Sequence, residues 1–102
     1  MNLYKHVFCL LSLTMFCLPL ACEKGKTHLE VANGLVRENK LDEALAEYSK
    51  AIDANADMAT AYYGRGVVYF EQGKLEEAAS DFRKAIDIKS NYLDAHKKLA
   101  ET

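Results

Sequence analysis

The sequence has one proline, no tryptophan and three cysteines in 102 residues, and it carries no excess of positive charge. Each shortage excludes something. Pro19 lies near the N-terminus, so no later proline removes a backbone donor and breaks a helix. No glycine- or proline-rich stretch divides residues 27–102, which read as one continuous helical unit. Thirteen bases stand against fifteen acids, for a net charge of −2. Only Lys5 of the bases precedes residue 23 and every acid follows residue 22, so a chain cut before Cys22 carries −3. No nucleic acid is expected as a partner, because it selects a basic surface. HExxH, GxSxG, phosphate-loop and CxxC motifs are all missing. No enzymatic activity, metal or cofactor is therefore expected. Half of the residues are apolar and 27% are charged, the composition of a globular domain rather than a disordered one.

What is present begins with an apolar run. Met1–His6 carries Lys5 and no acid, and Val7–Leu20 is then interrupted only by Ser12, Thr14 and Pro19. This order is that of a secretory signal peptide. The run is shorter than the ~20 residues of a spanning helix, which makes a retained membrane anchor the lesser alternative. Cys9 and Cys17 lie inside the run and would leave with it, so Cys22 would have no intramolecular disulfide partner. The segment Leu18-Pro19-Leu20-Ala21-Cys22 resembles the lipobox of bacterial lipoproteins, although Pro19 stands where Leu is usual. The resemblance implies a signal over 1–21, lipidation of Cys22, a short tether over 22–26, and an exported, envelope-located protein, periplasmic or at the outer membrane. The alternative is a secreted protein in which Cys22 is apolar filler. Acyl chains supply about 0.8 kcal/mol per buried CH₂, so a multiply acylated terminus holds firmly.

The rest of the chain repeats itself at a shift of 34. Lys40, Leu41, Glu43 and Ala44 recur as Lys74, Leu75, Glu77 and Ala78; Lys50, Ala51, Ile52 and Asp53 recur as Lys84, Ala85, Ile86 and Asp87. A period of this length signals a helix–turn–helix unit. Helices are predicted at about 27–38, 41–54, 58–72, 75–89 and 92–101. Small residues (Ala32, Ala44, Gly66, Ala78) let paired helices approach, and Leu35, Tyr48, Tyr69 and Phe82 fill the space between them. Tyr62, Gly66 and Tyr69 are expected to be buried. Gly73 and Asn39 sit where left-handed dihedrals end a helix.

The second copy, Tyr62-x-x-Arg65-Gly66-x-x-Tyr69 followed by Ala78-x-x-x-Phe82 and Ala85, resembles the tetratricopeptide (TPR) repeat pattern. The first copy, from His28 through Ala44-x-x-x-Tyr48 to Ala51, resembles it mainly in its second helix. The implied fold is an all-α, antiparallel helix-hairpin solenoid spanning 27–102. Its repeats fall at about 25–58 and 59–92, with a capping helix at 93–102. In that helix Ala95, Leu99 and Ala100 pack on the second repeat and Lys97, Lys98 and Glu101 face water. Ala56 and Ser90 replace the proline usual between repeats, with Asn55 and Asn91 as turn formers. Two repeats are few for a solenoid, which leaves room for homo-oligomers.

The resemblance further implies a concave groove lined by the first helix of each repeat, holding another protein or a peptide. Tyr63, Val67 and Phe70 form a second stripe beside the buried one. Leu29, Asn33, Val36 and Arg37 supply the matching face of the first helix, and Asp94, Lys97 and Glu101 approach from the cap. Arg65 is expected to pair with Asp81. The acids of the second helices, Asp42, Glu43, Glu47, Glu76, Glu77 and Asp81, read as a solvated face, and His28 and His96 as packing or edge residues. The functional expectation is an envelope-tethered adaptor or assembly factor. The alternative is a self-associating subunit that completes a larger array.

Overall fold

The computed structural model describes residues 24–102. The expected signal segment and the lipidation site Cys22 lie outside the described residues. Five helices follow one another with no strand among the described residues: α1 over 24–37, α2 Leu41–Ala54, α3 Ala59–Glu71, α4 Leu75–Ile88 and α5 Leu93–Glu101. Residues 24–26, expected to end a tether, are the first turn of α1, where Gly25 is buried near Met58. The helices form two hairpins, α1–α2 and α3–α4, and α5 packs on α4.

Both hairpins turn by the same device. Asn39 takes φ 61° and Gly73 φ 77°. Lys40 N–H donates to Leu35 O at 2.9 Å and Asn39 N–H to Val36 O at 3.0 Å; Lys74 N–H donates to Tyr69 O at 2.9 Å and Gly73 N–H to Phe70 O at 3.0 Å. This is a Schellman closure, which satisfies the last carbonyls of α1 and α3 and reverses the chain. Between the hairpins Asn55 does the work of the absent proline. Its Oδ1 accepts from Asp57 N–H at 3.1 Å, holding the turn into α3.

Small residues bring the helices together and large ones lock them. Ala32, Ala44, Ala51, Ala78 and Ala85 have no exposed surface, and Phe82 is fully buried with Tyr48 nearly so. Phe82 lies over Gly66, where an added Cβ would come within 2.8 Å of the ring. Tyr62 and Tyr69, expected to be buried, are half-buried.

The expected ion pair forms and is fully forked. Arg65 Nε and Nη2 donate to Asp81 Oδ2 and Oδ1, both at 2.8 Å, and Nη1 donates to Ser49 Oγ at 3.2 Å. One side chain on α3 thus ties α2 to α4. The hydrogen bonds to Asp81 hold the Arg65 guanidinium pKa above its ordinary value against the opposing effect of burial.

Two expectations need correction. Asp81 is only 5% exposed and Glu47 is also shielded, so the acids of α2 and α4 are not a uniformly solvated face. Glu47 is held from two sides: Lys50 Nζ donates at 2.9 Å, and the His28 ring donates through Nδ1 at 2.6 Å. These two bonds, Lys50 first, lower its carboxyl below the usual value of 4.5. His28 therefore links α1 to α2 by a polar contact rather than by packing. The second correction concerns α5. Ala95 is buried, but Ala100 is exposed and Leu93 is 78% exposed. The equivalent positions Ala32 and Gly66, and Gly25 and Ala59, are buried where a following helix covers them; nothing follows α5 in the described residues to cover Ala100 and Leu93.

Candidate functional site

The first helices of the two hairpins, α1 and α3, stand side by side and border an open cleft of about 350 Å³. Its α1 wall is Leu29, Asn33 and Val36, a stripe at helical spacing, and its α3 wall is Thr60, Tyr63, Gly64 and Val67. Tyr92, from the turn entering α5, closes one side. Every residue that lines the cleft is uncharged.

Three contacts fix its shape. Tyr48 reaches from α2 to the floor, and its hydroxyl donates to Asn33 Oδ1 at 2.6 Å. Burial, with Glu71 nearby, raises the Tyr48 pKa, so the hydroxyl stays a donor. The bond engages the Asn33 carbonyl and leaves its NH₂ group for a ligand. Tyr48 fits because residue 64 is glycine: a Cβ there would sit 2.6 Å from its ring. The third contact is aromatic. Tyr63 stacks at 5.1 Å and 30° on Tyr92 and meets Phe82 at 5.9 Å and 46°. Its ring is braced from below by the core while its edge borders the cleft. Burial first, and then Asp94, raises its hydroxyl pKa.

Of the expected groove residues, the structure brings Leu29, Asn33, Val36, Tyr63 and Val67 to this one cleft. Phe70, one turn farther along α3, does not line it and lies under Lys98, whose ammonium is 5.1 Å from the ring centre. Arg37 and Lys97 are exposed and off its wall. The cap lysine that meets α3 is Lys98 rather than Lys97, and Lys98 also pairs with Glu101 at 3.0 Å. Thr60 and Tyr92 were not anticipated. Thr60, Tyr63, Gly64 and Val67 do share one helical stripe, a signal obscured by two residues that are not apolar. His96, on α5, bonds the Ser90 carbonyl at 2.9 Å and takes no part.

Residues 29–92, well over half of the chain, match the family model described as tetratricopeptide repeat. The chain belongs to the tetratricopeptide repeat family. The TPR architecture recurs among solved structures. MamA superposes with a TM-score of 0.74 at 24% identity, over 74% of this chain and 44% of its own. The Arabidopsis OM64 TPR domain gives 0.76 at 24% identity, over 78% and 65%. YrrB, described as a TPR protein with an unusual peptide-binding site, gives 0.69 at 34% identity, over 81% and 45%. The chain thus spans less than two thirds of each of these TPR structures. No curated protein sequence matches it.

Proposed function

We propose that this protein is an interaction module that seats a peptide or a helix of another protein in the cleft between α1 and α3. The observation that carries this reading is the cleft itself: an uncharged recess with aliphatic and aromatic walls, open to solvent, on the inner side of a TPR stack. Its likeness to YrrB, a protein described by its peptide-binding site, supports the same reading. Tyr63 is the central anchor, because an aromatic ring already held on two sides gives contact area at little entropic cost.

The test uses the chain with a photo-crosslinking amino acid at Thr60, and the same label at exposed Arg83 on α4 as control. The Thr60 probe is expected to capture a polypeptide other than itself, and the Arg83 probe is not. Val67→Glu, which places a charge in the apolar wall, is expected to abolish capture without loss of helical circular dichroism. Tyr63→Ala is expected to weaken the captured partner's binding by about 2 kcal/mol, roughly thirtyfold. Equal capture from both positions would remove the cleft from consideration.

A second reading, association of copies end to end, is favoured by the bare face of α5 with Leu93 at its head. In that case a probe at Leu93 finds only the protein itself while the Thr60 probe captures no partner, and Leu93→Lys rather than Val67→Glu disperses the assembly.

The module is further proposed to be tethered to a bacterial envelope through a lipidated Cys22. The support is the order of the first 22 residues: a weakly basic start, an apolar run and Ala21 before the cysteine. Radiolabelled palmitate is expected to enter the wild-type protein in cells and not Cys22→Ala, which should move from the membrane to the soluble fraction. Equal labelling of both proteins would count against it.

A further inference from the structure

Resting on the lipidation of Cys22 proposed above, we infer that the protein lies on the lipid surface by one fixed edge of its helical stack, the edge where α1, α3 and α5 begin. The reason is the length of chain left for a tether. Only Glu23 stands between Cys22 and the first residue of α1. Two residues of chain reach at most about 7 Å, so the start of α1 stays that close to the lipid-bearing residue. A long flexible linker lets a domain tumble above a bilayer; this one is too short to do so.

α1 brings the rest of the domain with it, because its first turn is built into the stack. A Cβ on Gly25 would lie 2.9 Å from Met58 Cε and 3.5 Å from Asn55 Cβ, so that turn is seated on the segment leading into α3. The segment leading into α5 falls on the same edge. Tyr92 stacks on Tyr63, in the second turn of α3, and the Lys89 ammonium lies 5.4 Å from the centre of the Tyr92 ring. The hairpin turns at Asn39 and Gly73 stand at the other end of the helices, about 20 Å away, the length of α1.

The edge has side chains suited to that position. Leu93, at the head of α5, is far more exposed than Val31 or Leu75. Tyr92 beside it is half-buried, an aromatic ring of the kind that sits at a headgroup layer. Exposed Lys24, Lys26 and Lys89 are met by exposed Asp53, Asp57, Asp87 and Asp94. The edge therefore carries no strong charge, and the anchor rather than headgroup attraction sets the contact. Leu29, Thr60 and Tyr92 place one end of the cleft near this edge, so its occupant is met close to the membrane.

The test places a photo-crosslinking amino acid in the full chain in cells, at Asp57 or Leu93 on this edge and at Glu38 or Lys74 on the opposite one. All of these side chains are exposed. Radiolabelled phospholipid is expected to crosslink to the Asp57 and Leu93 probes and not to the Glu38 and Lys74 probes. An insert of about twelve Gly/Ser residues after Glu23 is expected to cut the Asp57 adduct about tenfold, because the local concentration of a tethered group falls with about the −3/2 power of tether length. The protein with the insert should remain in the membrane fraction. Adducts at both edges alike, adducts at neither, or an insert without effect, in a protein that still takes up palmitate, overturn the edge contact and leave the lipidation standing. Crosslinks from Leu93 to a second copy of the chain, with no lipid at Asp57, also overturn it and assign the edge to self-association. A protein that takes up no palmitate and stays soluble overturns both.

Discussion

Phe82→Ala is expected to remove most of the stability of this domain. The ring is fully buried, covers Gly66 and supports Tyr63 from beneath. Truncating a buried phenylalanine costs about 3–5 kcal/mol, in part because the surrounding helices close the cavity only incompletely. A small domain has a total stability of about 5–10 kcal/mol, and two hairpins sit at its lower end. Urea unfolding followed by circular dichroism should show the midpoint move close to zero denaturant. Phe82→Leu keeps much of the volume and is expected to cost less, about 1–2 kcal/mol. If the alanine variant lost under about 1 kcal/mol, the α3–α4 contact would not be the core described above. The consequence reaches the cleft, because Tyr63 loses one of its two braces.

Arg65→Met is the second large effect, at about 3 kcal/mol. The loss comes less from the missing attraction than from Asp81, which is left 5% exposed without its forked partner. Arg65 itself keeps 21% of its side-chain surface exposed, so water screens part of the interaction and the upper end of the range for buried pairs is not expected. The double variant Arg65→Met with Asp81→Leu should recover most of the loss, since two apolar side chains of similar volume need no solvent. Thermal melts of the single and double variants check this. A single variant no worse than a surface pair, about 0.5 kcal/mol, would show that the tie between α2 and α4 is ornamental.

These two residues show how differently parts of the molecule are legible. Phe82 was visible as core from its place in the repeat and from its partner Gly66. Arg65 was visible as a candidate for pairing with Asp81, because the stem of a long side chain packs while its head seeks a charge. Glu47, one repeat earlier than Asp81, looked like another solvated acid. It is instead held by His28 from α1, and no helical spacing within α2 announces a contact made by a different helix. The cleft divides in the same way. The stripes Leu29–Asn33–Val36 and Tyr63–Val67 were readable because helical period alone gathers them on one face. Tyr92 belongs to a turn, where period says nothing, and it entered the site only through stacking on Tyr63.

By itself the sequence determined the number and order of the helices, the repeat that pairs them, and the left-handed turns at Asn39 and Gly73. Those are local choices, set by side-chain sterics, backbone dihedrals and the apolar period within some fourteen residues. Only the tertiary structure decided that Lys98 meets α3 while Lys97 does not, and that Phe70 falls outside the cleft. Neighbouring residues on a helix point about 100° apart, so a modest rotation of one packed helix against another exchanges which side chain faces inward. That rotation is fixed by how Phe82, Tyr63, Tyr92 and Tyr48 fill the space between helices, a property of the whole stack that no single segment carries.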